Sequence, residues 1–180
     1  MADRHRLFFA LLPDERIRGR MLHAADQLRS VHNPQGTWTS PDRLHLTLFF
    51  LGDYPVLHSD MVDLAVTATE TVRVSEFVIS LDNAVSFAGK TPPWVLRCAE
   101  PSGSLQEFWS SLGTALTAVG FRFPPEPRFV QHVTLLRHAD KALSPTAIEP
   151  IGWPVRDFVL MHSETGQRRR YSTLQRWPLS

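Results

Sequence analysis

His45-Leu46-Thr47-Leu48 and His132-Val133-Thr134-Leu135 are two copies of one tetrapeptide, each placed shortly after a proline-containing loop and each opening an apolar run. At this composition a His-apolar-Thr-Leu tetrapeptide arises by chance in roughly one chain in thirty, so a second copy marks a repeated unit. Side chains alternate along a β-strand, which puts His45 and Thr47 on one face and Leu46 and Leu48 on the other, and likewise His132 and Thr134 against Val133 and Leu135. Each copy buries its apolar face and presents an imidazole beside a hydroxyl. Where two halves of the chain face one another, two such pairs line one cleft.

Outward from the first copy, residues 6–13 form a short apolar run stopped by Pro13, the pattern of a buried strand. Residues 14–31 carry Ile17, Met21, Leu22, Leu28 and Val31 at helical spacing, with Asp14 as N-cap. A strand over residues 44–51 ends at Gly52-Asp53, and a helix over 57–72 follows. The middle of the chain turns β-rich at 77–81, 84–87 and 94–98. A helix over 104–119, stopped by Gly120, then leads through the loop 124–127 to the second copy. Strands at 132–136, 155–161 and 171–177 complete the series, the last two joined by a polar turn at 164–169. This succession describes an α+β protein with helices packed on antiparallel sheets, expected as one unit over residues 1–180.

Composition narrows the function. A chain of 180 residues, 43% hydrophobic and 21% charged, buries a real core, and a net charge of +1 supplies no general field for nucleic acid. Any RNA contact therefore rests on a local basic patch. The single cysteine, Cys98, excludes an intrachain disulfide and fits a reducing compartment, where a buried, inert thiol is expected. The apolar run 7–12 is too short for a signal-peptide core or a membrane span, so a soluble cytoplasmic protein is expected.

Histidine gives or takes a proton near neutral pH, and two imidazoles flanking a phosphorus centre can act in opposite roles during one displacement. Threonine hydroxyls two residues away can hydrogen-bond the non-bridging phosphate oxygens as their charge redistributes. Such a site needs no metal, and neither a zinc-type ligand spacing, a P-loop, a GxSxG elbow nor a dinucleotide glycine fingerprint is present in the sequence.

These motifs, with the opening Arg6-Leu7-Phe8-Phe9-Ala10, the run from His45 to Gly52, the run from His132 to Arg137 and the ending Arg170-Tyr171-Ser172-Thr173-Leu174, resemble the two-histidine (2H) phosphoesterase superfamily, and within it the RNA 2′,3′-cyclic phosphodiesterases, formerly called 2′-5′ RNA ligases. The resemblance implies a bilobal fold with pseudo-twofold symmetry, two interleaved lobes bearing one motif each, and a central cleft between two sheets. It implies hydrolysis of RNA 2′,3′-cyclic phosphate ends to 2′-phosphates without a cofactor, with 2′-5′ ligation as the related transfer to a 5′-hydroxyl. By the same resemblance His45 is the proton donor and His132 the acceptor, in a monomer.

Two further residues are candidates for substrate binding. Arg137 follows the second motif where relatives often carry a phosphate-binding arginine, although strict alternation from His132 places it on the wrong face. Phe49 shares the parity of His45 and Thr47 and is placed to stack on a base, against the competing reading that it packs in the core. Arg168-Arg169-Arg170 is the densest basic run and a candidate for tracking RNA backbone. The competing function from another class is a non-enzymatic module that binds RNA ends, which would have no need of two intact His-x-Thr pairs.

Overall fold

The computed structural model describes residues 4–124, 128–165 and 171–180. The strands are β1 (Arg4–Leu11), β2 (Thr37–Trp38), β3 (Leu46–Tyr54), β4 (Phe77–Ser86), β5 (Trp94–Arg97), β6 (His132–Arg137), β7 (Thr146–Val155), β8 (Asp157–Thr165) and β9 (Tyr171–Pro178). The helices are α1 (Glu15–His32), α2 (Ser59–Thr69) and α3 (Gly103–Ala118). Asp14 caps α1 as expected, its Oδ1 accepting from Ile17 N at 2.8 Å, and Asn33 closes that helix in the left-handed region at φ 43°.

All strand pairs are antiparallel, in the order β7-β4-β5-β6-β3-β1-β8-β9, with β2 added beside β6. Where two sheets were expected, the strands form one nine-stranded sheet, because its two halves join through one residue pair, Leu46 with Val133. Both members of that pair belong to the repeated tetrapeptides. Each motif strand is thus the innermost of its half.

The helices cross between the halves. Helix α1 leaves β1 yet reaches β7, where Arg20 donates to Pro150 O at 2.8 Å, and its end meets Trp94 of β5 through His32. Helix α3 leaves β5 yet packs Phe108 on Phe158 of β8 and Trp109 on Phe49 of β3. These contacts tie the two halves of the sheet together. Phe9, Trp94 and Phe108 are fully buried between sheet and helices, each contributing roughly 1.5–3 kcal/mol of burial. Cys98 is buried and unpaired, and burial pushes its thiol pKa up. No helix among the described residues is long and apolar enough to cross a membrane.

The structure corrects several boundaries. The runs at 77–81 and 84–87 are one strand, β4, which continues through an irregularity in its pairing with β7 between Leu81 and Asn83. Strand β7 is absent from the sequence-based expectation, and it contains Pro150, Gly152 and Pro154, residues that disfavour an interior strand. It is tolerated as an edge strand, where a proline need not donate to a ladder. The expected strand at 155–161 is correspondingly two elements, broken at Arg156 between β7 and β8. The turn residues 166–169 and most of the loop at 124–127 lie outside the described residues.

Candidate active site

His45 immediately precedes β3 and His132 opens β6, so the seam between the halves brings both to one place. A cavity of about 240 Å³ is lined by Thr39, Arg43, His45, Thr47, His132, Thr134 and Arg137. The four motif residues are all present. Among the described residues none of the lining side chains is a carboxylate, and the two arginines suit an anionic ligand.

Both imidazoles are held in the same way. His45 Nδ1 lies 2.7 Å from Arg43 O and His132 Nδ1 lies 2.6 Å from Val130 O, in each case the carbonyl two residues back. A carbonyl only accepts, so each Nδ1 carries a proton and donates it. Each Nε2 is left as the nitrogen available for proton transfer. The His45 carbonyl partner comes from a 3₁₀ turn at Pro41–Arg43. His132 is steadied by buried Gln131, whose Oε1 accepts from Ser102 N at 2.8 Å and whose Nε2 donates to Ser102 O at 2.9 Å. Ser102 also caps α3, so the helix start and the strand that carries His132 are tied together.

Burial is the largest influence on both rings and pushes both pKa values below the usual histidine value. The carbonyl hydrogen bonds oppose this shift, while the charge of Arg137 adds to it in both rings. The His45 ring lies against Phe8 at 5.2 Å between centroids, and the His132 ring meets Phe87 edge-on at 4.9 Å.

Strict alternation fails in both motif strands, at equivalent points. On β6, Thr134 pairs with Val95 but Leu136 pairs with Trp94, so Leu135 is an extra residue. This β-bulge shifts the parity and turns Arg137 to the face of His132 and Thr134. The doubt that alternation raised about Arg137 is thereby removed. On β3, Thr47 pairs with Ala10 but Phe49 pairs with Phe9, so Leu48 is the extra residue.

That second bulge turns most of Phe49 inward, the competing core reading, while the residue still borders the groove beside the cavity. Its ring turns into the core, is 6% exposed, and stacks on Trp109 at 4.9 Å and 6°. It also lies over Gly113 of α3, where an added Cβ would come within 2.7 Å of the ring. Phe50 takes the outer face instead and is 51% exposed. It lines a neighbouring aromatic groove with Trp109, Phe123 and Phe129, which shares Thr47 and His132 with the main cavity.

Thr39, Arg43 and Phe50 were not found from the sequence. Arg43 stands two residues before His45, so the same parity continued backward would have included it. It packs on Tyr171 at 4.7 Å. Thr39 depends on Gly36, whose φ of 150° and close approach to Arg137 O leave no room for a side chain. That approach lays β2 along β6, and Thr39 N donates to the carbonyl of the bulge residue Leu135 at 2.8 Å. The Thr39 hydroxyl is buried with no hydrogen-bond partner among the described residues, which suits an oxygen that meets its partner in a ligand. Arg168 to Arg170 lie outside the described residues. His162 does not border the cleft and faces the opposite side of the sheet.

The LigT like Phosphoesterase family model matches residues 11–96, a span that includes the first motif. An Escherichia coli protein named RNA 2′,3′-cyclic phosphodiesterase is 32% identical over 191 residues, covering 100% of this chain and 99% of its own length. The crystal structure of E. coli LigT complexed with 3′-AMP superposes with a TM-score of 0.78 at 30% identity, covering 98% of this chain and 99% of that one. That of E. coli LigT complexed with phosphate gives 0.75 at 29% identity, covering 99% of each. With its whole length aligned to such a relative, the chain belongs to the LigT-like phosphoesterases of the 2H superfamily.

Proposed function

We propose that this chain opens 2′,3′-cyclic phosphates at RNA or nucleotide ends and releases 2′-phosphates. One observation carries the reading: two imidazoles with the same Nδ1 anchor share one cavity with three threonines and two arginines. Water attacks phosphorus and the bond from phosphorus to the 3′-oxygen breaks. His132 Nε2 takes the proton from the water, and His45 Nε2 gives one to the departing 3′-oxygen. Those roles rest on the family resemblance. Thr47, Thr134 and Thr39 donate hydrogen bonds to the non-bridging oxygens, whose charge Arg137 and Arg43 balance.

Relatives support the substrate class, since an E. coli protein is named for RNA 2′,3′-cyclic phosphate and E. coli LigT has been crystallised with 3′-AMP and with phosphate. The cavity of about 240 Å³ suits a phosphate and its ribose. The groove bordered by Phe49 and the more exposed Phe50 then takes a base or the preceding nucleotide. A 5′-hydroxyl of a second RNA in place of water gives the 2′-5′ linkage by the same proton transfers. The cavity is complete within one chain, which supports a monomer, and the buried free thiol of Cys98 supports a reducing, cytoplasmic setting.

The test is product analysis with 2′,3′-cyclic AMP and a short RNA ending in a cyclic phosphate, using ³¹P NMR. Release of a 2′-phosphate is expected from both. Binding without turnover would leave an RNA-end binding module, and a 3′-phosphate product would mean that the opposite bond is broken.

A further inference from the structure

The cleft uses two of the eight histidines. On the other face of the same half-sheet, His5 of β1 and His162 of β8 stand together. In the β1–β8 register His5 pairs with Glu164 and Leu7 pairs with His162, so His5, His162 and Glu164 are cross-strand neighbours. This face continues into Leu7, Phe9 and Leu160 of the main core, whereas Phe8, which touches His45, lies on the reverse. The group is therefore separated from the catalytic cavity by the thickness of the sheet.

His5 Nδ1 and His162 Nε2 are 2.9 Å apart, and their rings stack at 5.1 Å and 17°. One nitrogen or oxygen from each of His5, His162 and Glu164 falls within 4.8 Å of the others. We propose that these three residues bind a divalent transition-metal ion of the zinc type and clip β1 to β8 on the face opposite the cleft.

Two imidazole nitrogens at hydrogen-bonding distance share a single proton, and a metal ion replaces that proton by engaging both lone pairs. Tetrahedral zinc with nitrogen ligands at roughly 2.0–2.1 Å sets those nitrogens about 3.3 Å apart, so binding opens the pair by a few tenths of an ångström and turns the rings until both lone pairs meet at the ion. Two imidazoles and one carboxylate form a borderline donor set that suits zinc or its neighbours over magnesium or calcium. The half-exposed position leaves the fourth coordination place to water.

The nearest cations on β1 do not compete. Arg4 and Arg6 have the opposite parity, and both are tied to Asp53, at 2.6 and 3.3 Å. Tyr54, paired with His5 across β3, has already committed its hydroxyl to Leu51 O at 3.0 Å. The proposal does not depend on the reaction assigned to the cleft.

The full chain, stripped of metal with chelator, is titrated with zinc chloride by calorimetry at pH 7.5. One saturable equivalent is expected, retained by the His45→Ala/His132→Ala double variant and lost in His5→Ala, His162→Ala and Glu164→Gln. Zinc at about a hundredfold excess over Kd should raise Tm by roughly 5–10 °C in the wild type and not in those three variants. An anomalous-scattering map of zinc-soaked wild-type crystals, which requires no variant to fold, should show its peak between His5, His162 and Glu164. The proposal is overturned if the wild type takes up no saturable zinc, if the double cleft variant alone loses it, or if the peak lies elsewhere.

Discussion

Arg137→Gln separates charge from shape in the cleft. The glutamine keeps a polar side chain at the end of β6, while the guanidinium is lost from the cavity shared with His45 and His132. A hydrogen bond to a charged group contributes about 1.5–3 kcal/mol, so kcat/KM for 2′,3′-cyclic AMP should fall roughly tenfold to 150-fold. A second effect runs through the histidines. The charge of Arg137 lowers the pKa of both rings, so its removal raises both, and the kcat/KM–pH profile should move to higher pH. In the wild type, burial already holds both rings low, and the profile should peak on the acid side of the ordinary histidine value. Stability should barely change, because Arg137 is exposed and its strand pairing with Thr37 uses backbone. The assay is initial-rate kinetics over pH, with a Tm as control. A kcat/KM within twofold of wild type, or a profile that moves to lower pH, would refute the place given to Arg137.

His45→Ala and His132→Ala should each lower kcat by roughly a hundredfold to ten-thousandfold, and Thr47→Val, Thr134→Val or Thr39→Val by about a hundredfold or less, measured on the same substrate. Phe49→Ala should cost roughly 3–5 kcal/mol of stability in a denaturant titration. Phe50→Ala should leave stability unchanged and raise KM for oligonucleotides. Hydrolysis should survive exhaustive chelation, because the proposed proton transfers use imidazoles alone; loss of activity restored by zinc or manganese would contradict that mechanism.

Much of the site was legible because the repeated motif carries its own geometry. The alternation of His45-Leu46-Thr47 and His132-Val133-Thr134 fixed which side chains face out, and the structure places all four polar residues in one cavity. What escaped was set by register. The bulges at Leu48 and Leu135 depend on pairing with β1 and β5, distant in sequence, and they decide that Phe49 packs inward while Phe50 is exposed and that Arg137 enters the cleft. Thr39 escaped for a similar reason, since Gly36 reads as a loop glycine until β6 lies against it. Strand β7 was hidden by prolines that only an edge position permits. His5 and His162 are brought together only by the pairing of the first strand with the eighth.

The division of labour between the two histidines is tested most directly by replacing the 3′-oxygen of the cyclic phosphate with sulfur. A 3′-oxygen is a poor leaving group that must be protonated as it departs, whereas a thiolate leaves without a proton. His45→Ala should therefore recover much of its rate on the sulfur substrate, and His132→Ala should stay slow because its water is still not activated. Rescue of His132→Ala alone would reverse the roles, and rescue of neither would contradict proton transfer by the histidine pair.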